Sequence, residues 1–241
     1  MSNLPILLFD FDGVVITQKA LEYTALKLIR KKFYRWKNLR NMRLIDFARL
    51  FEESDSKNRI KALIRVYKAY KKYIPSRWRR ILFFFKFRRT YPRYEIYETL
   101  KPNLKNILIK FKHSNFPLGI VSNTSRKRLN FFRGKLGLDE FFSVLISRDD
   151  TPHRKPSPVP IFSALLYLKK NLNLQIKKKN VYFVGDLPAD IHSANNAGIK
   201  SIALLSGHGK KTDLLRANPS VLIENIEDIL EIESLKKFLL N

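Results

Sequence analysis

Two aspartates set one residue apart, at the end of an apolar run and just before a glycine, are the residues here best placed to do chemistry. The run is Ile6-Leu7-Leu8-Phe9-Asp10-Phe11-Asp12-Gly13-Val14-Val15. A short unbroken apolar stretch that ends at a turn signal suits a strand buried on both faces, as in a parallel sheet. On an extended chain Asp10 and Asp12 point the same way, and Gly13 lets the backbone turn sharply after them. Like charges placed together repel and are costly to desolvate, so the pair calls for a cation or a proton. Taken alone, the stretch also fits a polar loop that carries two acids.

The same pattern recurs. Pro117-Leu118-Gly119-Ile120-Val121 leads into Ser122 and Asn123, and Val181-Tyr182-Phe183-Val184 leads through Gly185 into Asp186 and Asp190. Lys155 lies in the loop Arg148 to Pro158, which enters a helix. Parallel strands bring such ends to one edge of the sheet, where ligands of open α/β folds bind. Carboxylates without any cysteine favour oxygen ligation, hence Mg²⁺ rather than zinc. A hydroxyl, a side-chain amide and a lysine suit phosphate oxygens. An aspartate can attack phosphorus and form an aspartyl-phosphate, and a second carboxylate can protonate the leaving oxygen and later activate water. Blander readings stand beside these: turn chemistry for Ser122 and Asn123, and a helix N-terminal carboxylate for Asp190. His208, between Gly207 and Gly209, reads as an exposed loop residue, and His153 and His192 as surface residues.

Around these residues the sequence alternates strands and helices. Helices are expected from an opening at Lys101-Pro102-Asn103 through about Lys112, from about Arg126 to Leu136 before Gly137, from Ile161 to Asn171, and from about Ala189 to Asn196 before Gly198. Further strands are expected at Phe142–Ile146, Ser201–Leu205 and Val221–Ile223, with a closing helix from Ile226 to Leu240. Alternation of this kind implies a parallel sheet covered on both faces. Residues 17–98 differ. Leu21, Ala25, Leu28 and Ile29 recur at helical spacing, as do Ile45, Ala48 and Leu50-Phe51, and Ile60, Leu63, Ile64 and Tyr67. Pro75 and Pro92 mark breaks. A helical insert therefore follows the first strand, with the aromatic cluster Phe83 to Phe87 as its core and Arg77, Arg79, Arg80, Arg88 and Arg89 as a solvated face.

The chain has 241 residues, 45% of them hydrophobic, enough for a sizeable core. With no cysteine there is no disulfide frame and no thiolate nucleophile. No basic n-region with a small-residue cleavage site opens the chain, and no apolar run reaches the length of a membrane span. A cytoplasmic location is the expectation. The formal net charge is +26, and residues 18–99 carry about 24 Lys and Arg against about 7 Asp and Glu. Such a surface attracts polyanions, although a biased overall composition produces the same excess.

Four motifs in order make the chain resemble the haloacid dehalogenase-like (HAD) hydrolases, in their phosphatase branch. They are Asp10-Phe11-Asp12-Gly13-Val14, Ser122-Asn123 after a strand, Lys155-Pro156 in a loop, and Gly185-Asp186-Leu187-Pro188-Ala189-Asp190. Ala194 to Gly198 also resembles the family's Ala-x-x-Ala-Gly. The resemblance implies a Rossmann-like α/β core of residues 1–16 and 99–241, with a helical cap inserted at residues 17–98. It implies Asp10 as nucleophile and Asp12 as general acid and base. Mg²⁺ would be held by Asp10, the carbonyl of Asp12, and Asp186, with Asp190 acting through water or as support. Ser122 and Lys155 would bind phosphate, with Asn123 nearby. Asp12 argues against dehalogenation, since a leaving halide needs no proton. Ile16-Thr17-Gln18 departs from the acid and serine that many phosphoglycolate phosphatase-like relatives carry there. The expected function is Mg²⁺-dependent hydrolysis of a small phosphomonoester. The alternatives are a phosphomutase, and a basic nucleic-acid-binding protein or polynucleotide phosphatase on the same scaffold.

Overall fold

In a computed structural model, residues 4–17 and 76–239 are described, together with residues 19, 20, 23, 24, 27, 28, 68, 71 and 74. The chain separates into two compact units, Met1–Thr17 with Thr99–Asn241, and Gln18–Glu98.

The first unit is built on six parallel strands: β1 (Ile6–Phe9), β2 (Leu118–Val121), β3 (Val144–Ile146), β4 (Val181–Gly185), β5 (Lys200–Leu204) and β6 (Val221–Ile223). Their order is β3-β2-β1-β4-β5-β6. From the central β1 the chain first builds outward through β2 and β3, then returns to β1's other side for β4, β5 and β6. The reversal leaves a crevice beyond the carboxyl end of β1, where connections depart in opposite directions. Phe9 of β1 pairs with Ile120 on one side and Val184 on the other, so three strands end level with one another.

Alternation along β1 explains the two cores. Leu7 and Phe9 face one layer with Leu104, Ile107, Leu108, Leu129 and Phe132, while Ile6 and Leu8 face the other with Ile161, Ala164, Leu168 and Ala194. All four residues of β1 are buried, and burying one such side chain stabilises by about 1.5–3 kcal/mol. This two-sided burial is why the run shows no polar alternation. In chain order after the insert, the α-helices of this unit are α2 (Leu104–His113), α3 (Arg126–Leu136), α4 (Val159–Asn171), α5 (Pro188–Ala197), α6 (Lys211–Arg216) and α7 (Glu233–Leu239). Gly137 and Gly198 end α3 and α5 in the left-handed conformation, as their sequence positions suggested.

One expectation needs correction, and one helix was not expected. The closing segment is a 3₁₀ turn, Ile226–Glu231, followed by α7, with Ile232 extended between them. Its apolar residues, Ile226, Ile229, Ile232 and Leu235, recur every third position, which suits three residues per turn better than 3.6. The short helix α6 had no sequence signal beyond a polar stretch with two leucines.

In the second unit, α1 (Arg77–Thr90) leads into 3₁₀ turns at Tyr91–Arg93 and Glu95–Tyr97. Phe83 and Phe87 are buried, but Phe85 is exposed. Arg80 is buried too, contrary to its reading as solvated, and its Nη1 donates to the carbonyl of Ile74 at 2.7 Å. Arg77, Arg79 and Arg89 are exposed. The buried carboxylate of Glu98 accepts from the amides of Lys19 and Ala20 at 3.0 and 2.8 Å, capping the chain where it turns helical. Most of the periodic faces expected before residue 68 lie outside the described residues, as does the side chain of Arg88. Among the described residues no helix is long and apolar enough to cross a membrane.

Candidate active site

Most predicted site residues of the first unit sit just beyond a strand end, while Lys155 comes from a loop and Asp190 from the first turn of α5. Asp10 follows β1, with its amide donating to the carbonyl of Val184 at 2.8 Å, which continues the ladder one step past the strand. The chain then turns through Gly13, whose φ of 79° lies in the left-handed region. Ser122 and Asn123 follow β2, and Asp186 follows β4.

Lys155 binds this edge together from a distant loop. Its Nζ lies 2.5 Å from Oδ1 of Asp10 and 2.6 Å from Oδ1 of Asp190, and all three side chains are buried. The loop is clasped by Asn123, whose Nδ2 donates to the Lys155 carbonyl at 3.3 Å and whose Oδ1 accepts from the Lys155 amide at 3.1 Å. Asn123 therefore fixes the main chain of the lysine. Ser122 Oγ accepts from the Thr124 amide at 3.1 Å, shaping the turn after β2. Asp190 takes the helix N-terminal position open in the sequence and adds a contact with the lysine. Its Oδ2 accepts from the amides of Asp186 and Leu187 at the start of α5, while its Oδ1 meets Lys155.

Asp186 is fully buried, and its two oxygens differ. Oδ2 accepts from the His208 amide at 2.8 Å and lies 2.7 Å from His208 Nδ1. Oδ1 is buried with no hydrogen-bond partner. His208 is thus buried against the site, contrary to its reading as an exposed loop residue. Its flanking glycines explain the difference. A Cβ on Gly207 would collide with the Asp186 side chain, and one on Gly209 with the Asp186 carbonyl. A Cβ on Gly13 would meet both Asp186 and the His208 ring. These glycines allow close packing around one carboxylate.

Asp12 points elsewhere. Nη1 of Arg128, on α3, lies 2.7 and 2.8 Å from its two oxygens and also donates to Thr124 Oγ1 at 3.1 Å. The guanidinium packs over the rings of Phe11 and Phe132. Sequence reasoning missed Arg128, which stands beside Arg126 and Lys127. Only the helical phase set by the Ser125 cap turns residue 128 back toward β1.

Asp10, Asp186 and Asp190 each offer an oxygen within 4.8 Å of the others. Three buried carboxylates against one ammonium leave an excess of negative charge, and one oxygen of Asp186 is buried without a hydrogen-bond partner. Oxygen donors, surplus negative charge and an unpartnered buried acceptor fit a hard divalent cation. The proton affinities tell the same story. Burial raises the pKa of Asp10 well above the ordinary carboxylate value; Lys155 opposes the rise, and Asp190 and Asp186 add to it. Asp190 is raised for the same reasons, with burial foremost. Burial also acts against charge on Asp186, but the contacts with His208 outweigh it and hold that carboxyl below its usual range. Burial disfavours the charged form of Lys155 as well, yet Asp10 and Asp190 overcome it and raise its pKa.

The chain is similar to known proteins in keeping with this geometry. A family model described as haloacid dehalogenase-like hydrolase matches residues 7–204. A phosphoglycolate phosphatase of Photorhabdus laumondii is 28% identical over 131 residues, 54% of this chain and 53% of that protein. The pyrophosphatase PpaX of Oceanobacillus iheyensis is 31% identical over 135 residues, 56% of this chain and 60% of that protein. The chain thus spans little more than half the length of the curated relatives it matches. The crystal structure of a predicted phosphoglycolate phosphatase from Haemophilus somnus shares the fold, with a TM-score of 0.65 at 22% identity over 96% of this chain and 99% of that one. With its family model spanning most of the sequence, the chain belongs to the haloacid dehalogenase-like hydrolases.

Proposed function

We propose that the protein is a Mg²⁺-dependent phosphatase that hydrolyses a small phosphomonoester through an aspartyl-phosphate on Asp10. The observation that carries this reading is the buried cluster of Asp10, Lys155, Asp186 and Asp190 at the strand-order reversal, with an unpartnered oxygen on Asp186. Family membership and the names of the phosphoglycolate phosphatase and pyrophosphatase relatives support it.

Asp10 and Asp186, with the Asp12 carbonyl, would hold the ion, and Asp190 would support them. When bound, the ion neutralises charge between an anionic nucleophile and an anionic phosphate. A carboxylate oxygen of Asp10 attacks phosphorus, and the bond from phosphorus to the leaving oxygen breaks. A proton from Asp12 goes to that oxygen. Asp12, now a carboxylate, takes a proton from water as the water attacks the aspartyl-phosphate, which releases inorganic phosphate and restores Asp10. Lys155 and the Ser122 hydroxyl bind the non-bridging oxygens, and Asn123 keeps the lysine in place. The unit Gln18–Glu98 acts as a cap that excludes water and selects the leaving group.

The test is phosphate release from a panel of phosphorylated metabolites, sugar phosphates, nucleotides and phosphorylated oligonucleotides, with and without Mg²⁺, for wild type and Asp10→Asn. Mg²⁺-dependent release from a few small esters, lost in the variant, is the expected result. No release by folded wild type from any compound would refute the reading. Turnover needing a sugar bisphosphate would replace it with a phosphomutase, and preference for oligonucleotides would make the basic insert a nucleic-acid surface.

A further inference from the structure

We infer that His208 is a positioning residue for the cation site: it holds one oxygen of Asp186 so that the other is presented to a divalent metal ion. The inference rests on the metal-dependent reading above and adds to it a residue outside the four motifs that suggest it.

Asp186 Oδ2 is held from two directions by the same residue, through the main-chain amide and through ring Nδ1. An ionised carboxylate can only accept, so the 2.7 Å contact places the ring proton on Nδ1. Oδ2 is therefore occupied, and the carboxylate cannot rotate without breaking both bonds. Oδ1 is left buried and unpartnered, and Asp186 supplies an oxygen to the group with Asp10 and Asp190. Burying an acceptor without a partner is unfavourable, and a bound cation removes that cost. The loop is built for this contact. Gly209 donates to the Asp186 carbonyl at 2.9 Å, and a side chain at Gly207, Gly209 or Gly13 would run into Asp186, at Gly13 into the imidazole as well. The result is a ligand that offers one oxygen in one direction, which suits the strict geometry of Mg²⁺.

Calorimetric titration of the whole chain with MgCl₂ tests this, with thermal melting in EDTA as the check on folding. An asparagine at 208 puts its amide nitrogen close to the position of Nδ1; leucine and glutamine do not. His208→Leu and His208→Gln should weaken Mg²⁺ binding about 10–100-fold, the usual effect of losing a group that orients a ligand. His208→Asn should stay within about threefold of wild type. If a folded Leu or Gln variant bound Mg²⁺ as tightly as wild type, or if the Asn variant were as weak as the other two, the inference would be overturned. Wild type that binds no Mg²⁺ and hydrolyses phosphomonoesters without it would instead overturn the metal-dependent reading itself. If Leu fails to fold, Gln against Asn still decides the question.

Discussion

Replacing Lys155 by methionine removes the one ammonium that lies between Asp10 and Asp190 and keeps a similar length of apolar chain. Both contacts are short, at 2.5 and 2.6 Å, and all three side chains are buried. Breaking a buried pair by deleting one partner typically costs about 3–5 kcal/mol, because the other charge stays buried and unpaired. Here two carboxylates lose the same partner, and Asp186 remains beside them. The loss in metal-free buffer at pH 8 should therefore reach that range. Its pH dependence has a definite sign. Asp10 and Asp190 already have folded-state pKa values above their unfolded ones, and removing the lysine, which lowers both, raises them further. Such groups contribute stability that is complete below the unfolded value, near 3.8, and is lost as pH rises through the raised folded value. Lys155 contributes fully below its unfolded value, near 10.5. The lysine's own contribution is lost at pH 5 and pH 8 alike, and the carboxylate part grows with pH, so the gap between Lys155→Met and wild type should already be present at pH 5 and widen toward pH 8. Urea denaturation in EDTA at several pH values measures it, and Mg²⁺ should narrow it at pH 8. A variant within about 1 kcal/mol of wild type at pH 8, well below the expected range, would refute the reasoning. So would a gap that does not depend on pH.

Gly13→Ala puts a side chain at a left-handed φ, where strain alone costs about 1–3 kcal/mol, and drives a methyl group into Asp186 and His208. It should lower the urea midpoint and abolish measurable Mg²⁺ binding by calorimetry; unchanged binding would show that the turn has slack. Arg128→Met breaks a partly exposed pair with Asp12, so stability should change by no more than about 1 kcal/mol. If Arg128 also orients Asp12 for proton transfer, hydrolysis of alkyl phosphates should fall about tenfold, at the low end of what a positioned acid supplies. p-Nitrophenyl phosphate, whose leaving group needs no proton, should be hydrolysed nearly as before. Equal losses on both substrates would separate Arg128 from that step.

The strands were legible because parallel strands buried on both faces are continuous apolar runs, and each ended at a polar residue or glycine that could be placed on one edge. Ile6–Phe9, Leu118–Val121 and Val181–Gly185 needed only that pattern. Helix ends were legible where a glycine had to be left-handed, as at Gly137 and Gly198. The C-terminal helix was misread because the three-residue spacing of Ile226, Ile229, Ile232 and Leu235 resembles a helical face over any short window. Arg128 was hidden among like charges, since sequence does not give the helical phase of a residue until the cap is fixed. His208 was hidden by its glycines. A glycine on each side usually signals an open loop; here each glycine is required because Asp186 fills the space that a Cβ would take.

Arg128, which the sequence did not reveal, and His208, which it placed on an exposed loop, share a task, and it explains why motifs alone could not assign them. A motif identifies which carboxylates gather at a strand end. It does not say which oxygen of each is engaged. Asp12 has both oxygens on Arg128, Asp190 has both on Lys155 and the first amides of the α5 turn, and Asp10 gives Oδ1 to Lys155. Asp186 alone among these has an oxygen that is both buried and orphaned, and it does so because His208 takes the other. Contacts of this kind come from loops and helix faces that lie outside the motifs. The ion's place would then be set as much by the partners that occupy the unwanted oxygens as by the carboxylates that bind it. If so, substitutions at His208 should move metal affinity while leaving the four motifs untouched.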